Sequence, residues 1–244
     1  MIGPILNAAA ILVGGAVGLT RKRPFSAANE SFFKVALGVF AIWFGLRLTW
    51  ISLQGPVGHQ MVQLLIAVLA LMLGKLFGRF VRLQELSNRL GRSARQNISE
   101  AAQNDPRRLE KGFKTCAALF CAAPLGILGA IQDGLSDYYQ PLAVKSVMDG
   151  LATFGFARMF GPGVGLAALP VFALQGTISL SCSRILKPFL DLHHLTDPTN
   201  VAGGLLVFAV GLVILELKKI ELAAYLPSLV FAPLIAWLFA SKGS

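Results

Sequence analysis

A chain of 244 residues with 55% hydrophobic and only 14% charged residues, and a mean hydropathy of +0.66, falls outside the soluble class, where about 25% of residues are charged. Its length suits one bundle of membrane helices rather than two domains. The net charge of +10 comes without a nucleic-acid fold motif or a basic strip with interleaved aromatics, so no nucleic-acid partner is expected; it reads as basic loops on one membrane face, with membrane lipids as the partner.

Residues 3–19 form the first expected span, apolar except for Asn7. Gly14 and Gly18 make a GxxxG pair and, with Gly15, a small face on which another helix can lie closely. Asn7 reads as a helix cap or as glue between helices. No basic region precedes this run, whereas Arg21, Lys22 and Arg23 follow it. It therefore reads as a first helix with its N-terminus outside, not as a cleaved signal. The second span is 35–53, with Arg47 placed to snorkel. A Gly/Pro linker, 54–60, leads to the third span, 61–77.

Residues 78–112 differ in kind and read as a basic cytoplasmic connection. Between Lys75 and Lys114 stand ten basic and four acidic residues. Leu83, Leu86 and Leu90 mark an amphipathic surface helix, and SARQNISEAAQNDPRR reads as loop. The fourth span, 113–132, is interrupted by Pro124, Gly126 and Gly129. An acidic turn, 133–140, precedes the fifth and least apolar span, 141–160, which Gly161-Pro162-Gly163 closes. The sixth span is 164–182. A loop, 183–200, carries His193 and His194, which point apart and do not suggest a metal pair. Spans seven and eight are 201–217 and 222–240. Cys116, Cys121 and Cys182 lie in apolar segments without a CxxC or metal-ligand spacing, so they read as structural thiols; no metal or cofactor is expected.

With both termini outside, 17 of the 22 basic residues fall on the inner face and three on the outer, which follows the positive-inside rule. The alternative to eight spans is a re-entrant pair made from spans four and five. The run VALGVFAIWFGLRL (35–48) resembles VAGGLLVFAVGLVI (201–214). Residues 3–77 and 164–240 thus read as two three-helix units, inverted because five spans precede the second copy. The expected fold is an all-α, polytopic transmembrane helix bundle of about eight spans, a single membrane domain with candidate inverted repeats flanking a central broken-helix pair, 113–160.

Residues 120–150 concentrate the polar groups. Lys145 and Asp149 are four apart on one helix face, where an ammonium and a carboxylate cost far less together than alone. Ser146 sits beside them. Gln132 and Asp133 end the fourth span, and Gln175, Thr177 and Ser179 lie on the sixth. The bland readings are mutual neutralisation or snorkelling for Lys145, capping for Gln132 and Asp133, and back-bonding for the hydroxyls. The functional reading makes Gln132, Asp133, Lys145, Ser146, Asp149, Gln175 and Thr177 the lining of a substrate or ion site, and Gly14, Gly15 and Gly18 a helix-packing face. No GxGD, HExxH or P-loop is present and no Ser/His or Cys/His pair falls in the spans, so no enzyme is expected. The expectation is a transporter or channel-like protein for a small ion or metabolite, forming a homodimer; the alternative is a structural or regulatory membrane protein.

The segments GILGAIQDG (126–134), KSVMDG (145–150), ALPVFALQGTIS (168–179), AGGLLVFAVGL (202–212) and KKI (218–220) resemble the bacterial YqgA/YdfK-like membrane proteins, the "domain of unknown function 554" family. LNAAAILVGGAVG (6–18) fits as well, and only the basic stretch between spans three and four lies outside the resemblance. It implies a polytopic inner-membrane protein without an established activity, in a family loosely labelled as a sodium channel or pump. The chain departs from the family pattern at Pro124, Leu125, Gly126, Leu174, Asn200 and Val213. A Tyr at 174 or an Asn at 213 that served a site in relatives would be missing here.

Overall fold

The computed structural model describes residues 1–21, 26–99 and 107–240. It is helical throughout, with no strand among the described residues. Three long helices come first: α1 (Ile2–Thr20), α2 (Ala27–Ser52) and α3 (Val57–Phe80). A surface helix follows, α4 (Leu83–Ser99), then α5 (Arg108–Ala122) and α6 (Pro124–Ser136), which meet at a 58° bend. Pro124 causes the bend, since it has no N–H to continue the ladder and forces Ala123 into extended geometry (φ −67°, ψ 122°). Next come α7 (Gln140–Phe160), a 3₁₀ turn (Gly161–Ala167) and α8 (Ala168–Ser181). A π-helical segment (Cys182–Leu186) joins α8 to α9 (Lys187–Leu192). The chain ends with α10 (Thr196–Ile214), α11 (Leu222–Tyr225) and α12 (Ser228–Ala240).

Six stretches are long and apolar enough to cross a membrane, and the bent pair α5–α6 would add a seventh. One of the six is the 53-residue run Gln140–Leu192. At 1.5 Å per residue it would reach about 80 Å if straight, well over twice a hydrocarbon core of about 30 Å. It folds back instead. Gly161 takes φ +77°, a left-handed conformation open to glycine. Helix α1 then runs parallel to α7, with Gly3 at Leu142, Gly14 at Gly150 and Gly18 at Phe154. It runs antiparallel to α8, with Asn7 at Gln175 and Gly15 near Gly165 at the start of the return.

Several boundaries differ from the sequence reading. Helix α2 starts at Ala27, eight residues early, because Ser26 caps it by accepting the Asn29 N–H. Helix α4 runs to Ser99 and takes in part of the expected loop; residues 100–106 lie outside the described set, as do 22–25 of the first basic loop and 241–244. The expected loop 183–200 is mostly helix. Leu190 and Leu195 hold it down by packing with Ile66 and Leu135. Asp133 is not in a turn: α6 continues past it until Asp137 takes a left-handed conformation (φ 54°).

The close helix contacts are made at small residues. A Cβ at Gly14 would overlap the Gly150 carbonyl, and one at Gly18 would press on Phe154 and Ala157. The helix expected to lie closely on this glycine face is therefore α7 of the same chain. Helices α2 and α10 cross antiparallel with Gly45 against Gly204 and Phe208, and Gly211 against the Gly38 carbonyl. The end of the bundle that gathers the basic residues is laced by ion pairs, Lys34 to Glu216 and Arg79 to Glu221 at 2.9 Å. The hydrogen bond from Lys34 holds the Glu216 carboxyl below the usual carboxylate range.

Replacing Gly45 with Leu should lower stability by about 1–3 kcal/mol, because neither backbone across the interface can yield. Gly155→Ala, where an added Cβ meets nothing within 4 Å, should leave it unchanged or raise it. Thermal unfolding in detergent compares the two; equal midpoints would contradict the close α2–α10 crossing.

Candidate functional site

The centre of the bundle is built from five helices. Helix α7 contributes Lys145 and Asp149, one turn apart. The Lys145 ammonium donates to both carboxylate oxygens of Asp149, at 2.9 and 2.7 Å. The two residues are 2% and 6% exposed, so Lys145 does not snorkel. Helix α1 brings Asn7, whose Nδ2 donates to Asp149 Oδ2 at 3.0 Å and to Gln175 Oε1 of α8 at 3.1 Å. Asn7 is thus the glue between three helices. Helix α5 sets the Phe120 ring 5.7 Å from the Lys145 ammonium, within cation–π range. On α6, Gly126 leaves room for this meeting: a Cβ there would stand 2.8 Å from Lys145 Cε and 3.1 Å from Gln175 Nε2.

A second cluster lies toward the start of α1. Asp133 is 2% exposed. Its Oδ1 accepts the Gly3 N–H at 2.9 Å, and its Oδ2 accepts the Ser179 hydroxyl at 2.5 Å. The Met1 amino group stands 2.7 Å from the same Oδ2. Gln132 is fully buried against α10, where a Cβ at Gly203 would overlap its amide. Nearby, Ser136 donates to Asn200 Oδ1 at 2.7 Å.

Not every expected residue joins. Thr177 is exposed on the outer face of α8, whereas Gln175 and Ser179 on the inner face are buried. Ser146 is buried, but its hydroxyl donates to the Leu142 carbonyl, the local back-bond common in helices. Gln132 and Asp133, for which capping was the bland reading, are core residues. Among the described residues no cluster of His, Cys, Asp or Glu could hold a metal, and the three cysteines are free.

Four side-chain atoms in this region have no hydrogen-bond partner in the protein: Asn7 Oδ1, Gln175 Nε2, and both Oε1 and Nε2 of Gln132. Each such buried atom costs about 1–3 kcal/mol if left unmatched. Asn7 Oδ1 and Gln175 Nε2 leave the centre able to accept and to donate a hydrogen bond beside a neutralised charge pair, and the Gln132 amide does the same against α10.

Lys145→Met should cost about 3–5 kcal/mol, since it strands a buried carboxylate. The double variant Lys145→Met/Asp149→Leu should recover much of that loss. Unfolding midpoints of the wild type, the two single variants and the double variant check the coupling; strictly additive losses would show that the pair is not a unit.

The chain as a whole is similar to other proteins. The chain is 27% identical over 244 residues to a protein of Bacillus subtilis (strain 168) named "Uncharacterized membrane protein YdfK", covering 100% of this chain and 99% of that one. It is 30% identical over 234 residues to "Uncharacterized protein YqgA" of Escherichia coli (strain K12), covering 95% and 94%. No solved structure matches. The family described as "Protein of unknown function (DUF554)" matches residues 2–237, which takes in every helix of the polar centre, and the chain belongs to that family of membrane proteins.

Proposed function

We propose that this protein is a transporter or channel-like protein of the bacterial inner membrane, acting on a small ion or metabolite at the centre formed by Asn7, Gln132, Lys145, Asp149 and Gln175. The observation that carries this reading is the pair of unpartnered buried amide atoms, Asn7 Oδ1 and Gln175 Nε2, on the side chains that meet at the Lys145–Asp149 pair, with the unpartnered Gln132 amide further along α6. Polar groups in a membrane interior are expensive, and a protein that only needed to pack would replace them with apolar residues. A small polar solute entering the centre would satisfy them. These side chains are almost fully buried, which fits the closed state that an alternating-access protein adopts between its open states.

Eight crossings fit this reading: α1, α2, α3, α5 with α6, α7, α8, α10, and α11 with α12. Their relative directions agree with such a count. Helices α1 and α7 run alike, while α8 opposes α1, α10 opposes α2, and α12 opposes α3 where Gly74 meets Ser228 and Gly78 meets Ala224. Each helix of the first unit, α1 to α3, thereby lies against its counterpart in the second, which supports inverted repeats. The basic end of the bundle then faces the cytoplasm. Asp133 and Asp149 have separate partners and share no hydrogen bond, which argues against the proton-sharing dyad of an intramembrane protease.

A structural role is the second reading, favoured by the complete bonding of both aspartates. Flux into proteoliposomes separates the two. Wild-type protein should move at least one solute in a panel of protons, monovalent and divalent cations, small anions and amino acids. Asp149→Asn, verified as folded by its unfolding midpoint, should abolish that movement. Absence of flux across the panel supports the structural reading; flux that survives in folded Asp149→Asn removes the site assignment.

A further inference from the structure

A second site lies at the basic end of the bundle, away from the polar centre. There the end of α3, the surface helix α4, the turn after α10 and the short α11 enclose a cleft of about 880 Å³. Four cations line it, Lys75, Arg79, Lys218 and Lys219, against one carboxylate, Glu221, so three positive charges stand uncompensated. Arg79 is committed to Glu221, with Nε at 3.0 Å and Nη2 at 2.9 Å from the same oxygen. Lys75 reaches over the Tyr225 ring, 5.2 Å from its centroid. Lys218 and Lys219 are exposed and make no ion pair among the described residues.

Basic loops on the inner face are usual in membrane proteins, and most such charges simply set orientation. This group differs because it converges. The cations occupy the walls of a concavity with an aromatic ring and the amides of Gln84 and Asn88. The walls are also held in place. Gln84 Oε1 accepts the Ala223 N–H and its Nε2 donates to Asn88 Oδ1, both at 3.1 Å, which fixes α4 against α11. Ser87 donates to the Ala122 carbonyl, which fixes α4 against the end of α5. Like charges gathered in a rigid cleft repel one another unless an anion joins them. The cleft has the volume of a small-ligand site and sits where transmembrane helices meet the inner interface, the position of phosphate headgroups.

We infer that this cleft binds a phosphate-bearing anion, held by Lys75, Lys218 and Lys219 with Asn88 as an added donor. Its phosphate comes from an anionic phospholipid of the inner leaflet or from a soluble phosphate compound. The site is independent of the central pair and of any transport through it.

The test uses the full chain purified in detergent. Unfolding midpoints and retained adducts in native mass spectrometry are measured with phosphatidylglycerol, with phosphatidylcholine and with inorganic pyrophosphate. Phosphatidylglycerol or pyrophosphate should raise the midpoint, and phosphatidylcholine should not. Response to phosphatidylglycerol alone assigns the lipid source; displacement of the lipid by pyrophosphate, or a response to pyrophosphate alone, assigns the soluble one. Lys218→Gln/Lys219→Gln should weaken binding by roughly thirtyfold, the expected effect of two lysines at an anionic surface. Arg92→Gln, on α4 but outside the cleft lining, should bind as the wild type does. The inference is overturned if neither anion shifts the midpoint beyond phosphatidylcholine, or if the double lysine variant retains wild-type binding.

Discussion

One ion pair organises this molecule. A lone ammonium or carboxylate is costly in a membrane interior, and Lys145 and Asp149 lower that cost within one turn of α7. The pair still has lone pairs to match, which Asn7 of α1 meets at Asp149 while it also donates to Gln175 of α8. Short polar side chains reach one another only if their backbones come close. The glycines where α1 meets α7, and Gly126 beside the ammonium, supply that proximity. Close helices in turn require α7 and α8 to lie on either flank of α1, and the left-handed Gly161 makes the fold-back between them.

The second aspartate is handled differently. Asp133 has no lysine; its oxygens are bonded by a backbone N–H, a hydroxyl and the amino group of Met1. The Gly134 backbone against the Ser179 carbonyl makes that hydroxyl contact reachable. The two carboxylates thus sit in unlike surroundings, one matched on its own helix and one matched by neighbours.

Much of this architecture was legible in the sequence because its signals were local. The Lys145–Asp149 spacing, the Pro124 break, the Gly14–Gly18 face and the basic connection all rest on residues within a few positions of each other. What was hidden depended on the third dimension. Asn7 stood out as polar, but nothing local said that it would meet α7 and α8. Thr177 looked as eligible as Gln175, yet two positions along a helix turn a side chain to the other face. Ser146 sits beside Asp149 in the pattern and is bonded backward instead. The polar run around His193 imitated a loop because its apolar anchors, Leu190 and Leu195, are sparse and act across the fold. Gly203 carried no signal, since its role is the space it leaves for Gln132.

The placement of the charged pair bears on how the chain is made. Because Lys145 and Asp149 share one helix, each has its partner within α7 itself and needs no other helix to supply it. The insertion machinery therefore handles a segment that is already close to neutral. Asn7 is in the opposite position: α1 is synthesised first and holds an unmatched amide until α7 and α8 emerge. The centre is thus completed across the chain, with α7 and α8 supplying the partners of a side chain on the first helix.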